Sequence, residues 1–179
     1  ESRVFQVRGF EKEVRQLFKH SLAGAGFAEE IARLRRFNVE EAFLAGLLHD
    51  IGKPVLYQTI ADLEKERGAD FPREAVEIVV QEFHAALGAE MVKKWALPER
   101  LAETIAYHHN PMEAPTSSQQ AQLTRLASDF SHYLVGPLGM TEETLREHPM
   151  LAPLNLYEEE VEALFGKKEK VLQLVQAVS

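Results

Sequence analysis

The sequence contains no cysteine among its 179 residues, so disulfide frameworks and thiolate metal sites are both excluded. Any bound metal ion must therefore be held by nitrogen and oxygen donors. An excess of basic residues is also missing, because 20 Lys and Arg stand against 28 Asp and Glu, giving a formal net charge of −8. This balance disfavours adhesion to a nucleic acid backbone or to an anionic lipid surface. We therefore expect neither nucleic acid nor a membrane as a partner.

Long apolar runs and an apolar N-terminal signal region are absent as well. The longest apolar stretches, such as residues 42–48, are far too short to span a bilayer. A cytoplasmic location is the resulting expectation. The chain opens with Glu1-Ser2-Arg3 and no initiating methionine, so we expect it to be a piece of a longer polypeptide or a processed form.

Strand signals are weak throughout, since alternation of apolar and polar residues never persists and no Asn-Gly or Asp-Gly turn occurs. This pattern predicts an all-α fold. With 45% apolar and 27% charged residues, the chain fits one globular domain that buries roughly 70% of its unfolded surface. Helical periodicity and breakers predict helices over residues 11–36, 38–50, 55–67, 73–83, 84–95, 98–109, 119–134 and 158–178. Gly136 and Pro137 are expected to close the helix over residues 119–134, and Trp95 is expected in the core.

The most informative stretch places His49 and Asp50 side by side in an otherwise apolar run. We expect them on the last turn of a buried helix that begins at the N-cap Asn38 and that Gly52 stops. A buried carboxylate at a helix C-terminus lies near carbonyls of partial negative charge, which is unfavourable without a partner. A bound metal ion would resolve that conflict.

Seven histidines accompany this pair: His20, His49, His84, His108, His109, His132 and His148. Of the first five, all but His20 lie at or within two residues of a predicted helix end or a breaker, where polar side chains can converge on a cleft between helices. His132 and His148 are instead interpreted as surface or hydrogen-bonded core histidines. Replacing His148 by alanine is accordingly expected to change neither metal binding nor activity.

Four segments, in order, resemble the HDOD branch of the HD superfamily of metal-dependent phosphohydrolases. They are AFLAGLLHDIG at residues 42–52, HAALGA at 84–89, WALP at 95–98 and AYHHNP at 106–111. The resemblance covers about residues 14–134. It implies a single HD-type helical bundle over residues 1–179, with the metal-type core at about 14–134 and a C-terminal helical extension at about 138–179.

The chain departs from two related patterns. Asn110, Pro111 and Met112 follow the paired histidines where the HD-GYP cyclic-di-GMP phosphodiesterases have Gly-Tyr-Pro, so the chain does not resemble that group. We also expect it to lack the helical segment that usually precedes the core in HDOD proteins. Many HDOD proteins have lost metal ligands and act as signalling modules, whereas this chain retains the whole series.

The resemblance implies one metal site of His20, His49, Asp50 and Asp129, and a second site in which Asp50 is joined by His84, His108 and His109. One or two divalent ions of Fe, Mn, Zn, Ni or Mg would suit such donors, and geometry alone does not choose among them. Two ions about 3.5 to 4 Å apart would polarise a phosphoryl oxygen and lower the pKa of a bridging water.

Asp50 and Lys53 are the predicted catalytic residues. Lys53 resembles the family lysine that contacts the phosphate, where its charge would stabilise the transition state. The alternative for Lys53 is a cation that caps helix carbonyls.

Three functions remain open. The first is a metal-dependent phosphohydrolase that acts on a nucleotide or another phosphate ester. The second is a non-catalytic HDOD signal-transduction module that binds metal or a nucleotide and relays its occupancy to a partner protein. The third is a structural helical bundle that binds no metal. Substrate choice depends on pocket shape, which the sequence does not determine.

Overall fold

The computed structural model describes residues 7–136 and 139–178, and within these ranges the protein is helical and contains no β-strand. The helices are α1 (Glu11–Arg35), α2 (Val39–Leu48), α3 (Gly52–Arg67), α4 (Arg73–Lys94), α5 (Glu99–Tyr107), α6 (Ser118–Val135), α7 (Glu142–Arg146), α8 (Glu158–Phe165) and α9 (Lys168–Val178), with a 3-10 turn at Pro111–Glu113. The all-α prediction is thereby confirmed.

Helix α1 lies at the centre of the bundle and packs against α2, α6 and α9. Residues 20–28 in its middle are all buried, and five of these nine residues are glycine or alanine, which lets the neighbouring helices approach closely. Phe27 on α1 meets Phe130 on α6 with ring centroids 5.1 Å apart, and both side chains are fully buried. The same apolar core includes Leu145, Leu164 and Val171 from α7, α8 and α9, so the C-terminal helices share their core with α1 and α6.

Several helix limits follow the sequence signals. Asn38 caps α2, because its side-chain oxygen accepts a hydrogen bond from the Glu41 backbone N–H at 3.1 Å. Gly136 follows the last residue of α6, as expected for a breaker. The neighbouring Pro137, which was predicted to close the helix with it, lies outside the described residues.

Four expectations were wrong. Gly52 does not stop a helix but begins α3, directly after a tight turn at residues 49–51. The predicted break at residue 84 is absent because no glycine or proline interrupts α4 there. The predicted last helix is divided at Gly166 into α8 and α9. Trp95, expected in the core, follows the end of α4 and remains 50% exposed.

Two glycines allow the helices around the site to approach closely. A Cβ on Gly46 would lie 2.6 Å from the backbone oxygen of Gly24, where α2 crosses α1. A Cβ on Gly52 would lie 2.1 Å from the backbone oxygen of His84, where α3 meets α4. Any side chain at these positions would force the helices apart. These contacts therefore set the separation of the helices that carry His20, His49 and His84.

None of the helices in the described ranges combines the length and apolar character that crossing a bilayer requires.

Candidate metal centre

Six of the seven predicted ligands converge at one place in the bundle. They are His20 from the middle of α1, His49 and Asp50 from the turn between α2 and α3, His84 from α4, and His108 and His109 from the end of α5. Five of these side chains belong to residues at most 4% exposed, and His109 is exposed. The cluster thus lies inside the bundle, and His109 marks the side that opens to solvent.

The buried imidazoles are held by hydrogen bonds from the nitrogen that points away from the cluster. His49 Nδ1 donates to the Gly46 carbonyl at 2.8 Å, and His108 Nδ1 donates to the Ile105 carbonyl at 2.7 Å. His84 Nδ1 donates in the same way to the Val80 carbonyl at 2.9 Å. A carbonyl can only accept, so each Nδ1 carries the proton and each Nε2 presents a lone pair to the centre.

His20 has the same tautomer, with the proton on Nδ1, because of a hydrogen bond to a serine. Its Nδ1 lies 2.6 Å from Ser131 Oγ, and the hydroxyl proton of Ser131 is directed to the Ser128 carbonyl at 2.7 Å. Ser131 Oγ must therefore accept from His20 Nδ1, leaving a lone pair on His20 Nε2. That atom lies 3.1 Å from His49 Nε2, so two acceptors face each other without a proton between them. Such a contact is unfavourable unless a cation lies between the two nitrogens.

Asp50 divides the imidazoles into two groups. Its Oδ2 lies 3.7 Å from His20 Nε2 and 3.6 Å from His49 Nε2. Its Oδ1 lies 3.3 Å from His84 Nε2 and 3.7 Å from His108 Nε2. In the described part of the chain, Asp50 Oδ1 and His108 Nε2 are buried without a hydrogen-bond partner. One carboxylate thus faces two sets of nitrogen donors, one on each oxygen.

Burial governs the charge state of these groups. It lowers the pKa of His20, His49 and His108. The ring of His109 is only partly enclosed, and this partial burial together with the neighbouring His84 lowers its pKa to about 4. Burial alone would raise the pKa of Asp50, but the neighbouring imidazoles and the Lys53 ammonium outweigh it and hold that pKa well below the usual range. Neutral imidazoles around an ionised carboxylate are the protonation state that metal binding requires.

The donor set fits a divalent cation. Two nitrogens bound to one ion at about 2.1 Å and at right angles would be about 3.0 Å apart. The His20 and His49 Nε2 atoms are 3.1 Å apart, and the His84 and His109 Nε2 atoms are 2.9 Å apart. Together with the unpartnered lone pairs on Asp50 and His108, these distances match neighbouring corners of a coordination sphere. The buried cluster is therefore compatible with divalent metal binding.

Lys53 lies in the first turn of α3, and its Nζ donates to Asp50 Oδ2 at 2.7 Å. The Lys53 side chain is 12% exposed. Its bond to Asp50 differs from the carbonyl cap that was considered as an alternative. Burial and the His84 ring lower the pKa of His109, and the charges of Lys53 and Arg125 lower it further.

Asp129 is the predicted ligand that the structure does not bring into either group. It lies on α6, where its Oδ2 accepts hydrogen bonds from Arg125 Nε at 2.8 Å and from His148 Nε2 at 2.9 Å. These two donors hold its pKa below the usual range although burial opposes the shift. Ser128 and Ser131, its neighbours on α6, contact His20. Asp129 therefore lies beside the cluster and is turned toward two cationic or donor groups.

Sequence reasoning missed two residues next to the site. His148 is indeed a hydrogen-bonded core histidine, but its partner is Asp129. His132 packs its ring against His20, with centroids 4.2 Å apart. The spacing of His132, three residues after Asp129 on one helix, is the signal that could have revealed it. No local signal marks His148, because its contact joins segments 19 residues apart across a loop.

The sequence matches the HDOD domain family over residues 2–111. Among curated proteins, it is 31% identical over 112 residues to ribonuclease Y of Mycoplasma mycoides, covering 63% of this chain and 21% of that protein. The chain spans about a fifth of the length of the curated relatives that it matches.

Two crystal structures share the fold. An HDOD domain protein of unknown function from Geobacter sulfurreducens superposes with a TM-score of 0.62 at 23% identity, covering 92% of this chain and 62% of that one. A protein from Shewanella amazonensis SB2B, provisionally named a phosphohydrolase, superposes with a TM-score of 0.63 at 19% identity, covering 100% of this chain and 66% of that one. At these identities the likeness concerns the fold alone.

Proposed function

Because the chain belongs to the HDOD family, we propose that it is a metal-dependent phosphohydrolase that acts on a nucleotide or another phosphate ester, in signalling of the bacterial type. The observation that carries this proposal is the placement of Asp50, whose two oxygens face two separate groups of imidazole lone pairs. One group, His20 and His49, would hold one ion with Asp50 Oδ2. The other group, His84, His108 and His109, would hold a second ion with Asp50 Oδ1.

Bound divalent ions supply positive charge that polarises a phosphoryl oxygen and lowers the pKa of water near neutral pH. The chain's own residues prepare the site for that chemistry. The Nδ1 hydrogen bonds fix each imidazole ring and its tautomer before any ligand arrives. The neighbouring imidazoles and Lys53 together lower the pKa of Asp50, and Lys53 places a fixed positive charge beside it. Arg125, whose charge acts on His109, adds a second positive charge. Both cations would bind the oxygens of a phosphoryl group.

The alternative is a non-catalytic HDOD module that binds metal or a nucleotide and relays its occupancy to a partner protein. The burial of the cluster favours it, because five of the six converging side chains are at most 4% exposed and only His109 is open to solvent. A substrate must reach both metal sites, whereas a regulatory ion needs only a narrow path. This alternative predicts bound metal without hydrolysis.

The experiment that tests the proposal uses protein purified without a histidine tag. Elemental analysis by inductively coupled plasma mass spectrometry measures the metal content. Turnover is then measured on a panel of p-nitrophenyl phosphate, bis(p-nitrophenyl) phosphate, mononucleotides and cyclic dinucleotides. Metal with turnover supports the phosphohydrolase, metal without turnover supports the signalling module, and the absence of metal contradicts both.

Short RNA belongs in the same panel because ribonuclease Y is among the matching relatives. The net charge of −8 disfavours a long electrostatic contact with a nucleic acid backbone. We therefore propose a small phosphorylated substrate as the partner of this site, together with a signalling protein in the second case. Turnover of RNA that exceeds turnover of every small ester would contradict that choice.

A further inference from the structure

The turn that follows α7 reaches back to the edge of the metal cluster. His148 lies in this turn and is 7% exposed. Its Nδ1 accepts a hydrogen bond from the Met150 backbone N–H at 3.1 Å. The proton of the ring must then be on Nε2, so Nε2 donates to Asp129 Oδ2 at 2.9 Å. The backbone of the turn thus fixes both the tautomer and the direction of this imidazole.

Asp129 receives a second hydrogen bond on the same oxygen. Arg125, one turn earlier on α6, donates from Nε to Oδ2 at 2.8 Å. In the described part of the chain, the hydrogen bonds and ion pairs of Asp129 all fall on Oδ2. With one oxygen held from two directions, the rotation of the carboxylate is restricted and Oδ1 is the oxygen that remains for another partner.

The neighbours of Asp129 show where that partner lies. Ser128 and Ser131 flank it on α6, and their hydroxyls lie 3.3 Å from His20 Nε2 and 2.6 Å from His20 Nδ1. His132, one turn later, stacks on the His20 ring. Asp129 is therefore on the helix that lines the His20 side of the cluster. Among the described residues, that side has two imidazoles and Asp50 Oδ2, whereas the other side has three imidazoles and Asp50 Oδ1.

We propose that His148 is a positioning residue that holds Asp129 Oδ2, together with Arg125, so that Oδ1 serves the ion bound by His20, His49 and Asp50. The inference rests on the proposed function, because it requires metal in the cluster. It makes the segment after α6, which lies outside the residues matched by the family, part of the metal site. Loss of such an outer hydrogen bond lowers metal affinity by about 10 to 100-fold in other proteins.

The test measures Zn²⁺ affinity at both sites by competition with a chromogenic chelator, using the full chain. Contrary to the sequence-based expectation that replacing His148 leaves metal binding unchanged, His148→Leu should weaken one site about 10 to 100-fold and leave the other within the error of the titration. Asp129→Ala should weaken the same site at least as much. His148→Gln, whose amide can still donate a hydrogen bond, should recover part of the lost affinity. A structural role alone would not select one of two sites.

Two further variants separate the hydrogen bond from the packing of the segment. Leu151→Ala removes buried volume from the same turn but leaves the hydrogen bonds that Asp129 accepts from Arg125 and His148, and it should leave both Zn²⁺ affinities unchanged. Arg125→Met changes a partly exposed side chain on α6, so it should fold even if His148→Leu does not, and it should weaken the same site.

The outcomes distinguish this inference from the proposed function. Equal losses in Leu151→Ala and His148→Leu, or unchanged affinity in His148→Leu and Arg125→Met, would overturn the positioning role while leaving the phosphohydrolase proposal intact. Wild-type protein that binds no Zn²⁺ would overturn both.

Discussion

Acidification should destabilise the metal-free protein strongly, because the fold buries imidazoles in their neutral form. The pKa of His20 and of His108 lies well below the ordinary value of 6.5 in the folded state. The unfolded chain therefore binds protons that the folded chain cannot, and stability is lost as the pH falls below 6.5. The full stability is present above that pH.

The size of the effect follows from linkage. Between pH 8 and pH 5.5, each imidazole that stays neutral in the folded state and has an unfolded pKa of about 6.5 lowers the free energy of unfolding by about 1.4 kcal/mol. His20 and His108 together should therefore remove about 3 kcal/mol, and His49, which is also buried and has a lowered pKa, should add to this loss. That is a large fraction of the stability of a domain of this size.

The assay is urea denaturation in the presence of EDTA, followed by circular dichroism at pH 8 and pH 5.5. His108→Asn provides the internal control, since removing one titrating ring should reduce the pH dependence by about 1.4 kcal/mol. A difference of less than about 1 kcal/mol between the two pH values would refute the reasoning, because it would mean that the buried imidazoles are protonated in the fold.

Three further predictions concern single side chains. Asp50→Ala should lose metal and any activity together, and metal retained at full occupancy in elemental analysis would contradict the assignment. Gly52→Ala should lower the free energy of unfolding, measured by urea denaturation, by about 1 to 3 kcal/mol, because its Cβ would lie 2.1 Å from the His84 backbone oxygen. The control is Gly24→Ala, whose Cβ would lie 3.3 Å from its nearest atom. An equal or smaller loss in Gly52→Ala than in Gly24→Ala would count against this explanation. Lys53→Met should keep the metal but lower kcat/KM for a phosphate ester by about 10²-fold or more, and unchanged kcat/KM would exclude a role in binding the phosphoryl group.

Helix placement was accessible from the sequence because it depends on local signals. The cap at Asn38 and the breaker at Gly136 act within one helical turn, so the limits of α2 and α6 could be predicted to within two residues. Gly52 was misjudged because its use is not local. Only glycine fits at this position because the backbone of α4 at His84 lies against it. That contact depends on how helices distant in the sequence pack together.

The same contrast between local signals and contacts between distant helices applies to the metal site. The convergence of His20 with residues 29 or more positions later could be inferred only through the resemblance to a known family, since helical periodicity does not specify which helices meet. Asp129 shows the limit of that inference. The direction of its carboxylate depends on His148, which lies in a turn beyond the residues that match the family. The sequence of α6 alone does not indicate that His148 is the hydrogen-bond partner of Asp129.

The turn between α2 and α3 has one more consequence. The amides of His49, Ile51 and Lys53 each donate to a carbonyl three or four residues earlier, at 2.9 to 3.0 Å, so backbone hydrogen bonds extend from the end of α2 through the turn into α3. Its amide protons should exchange slowly with deuterium even when no ion is bound. Uptake of metal would then require no ordering of this turn, and its rate should rise linearly with ion concentration.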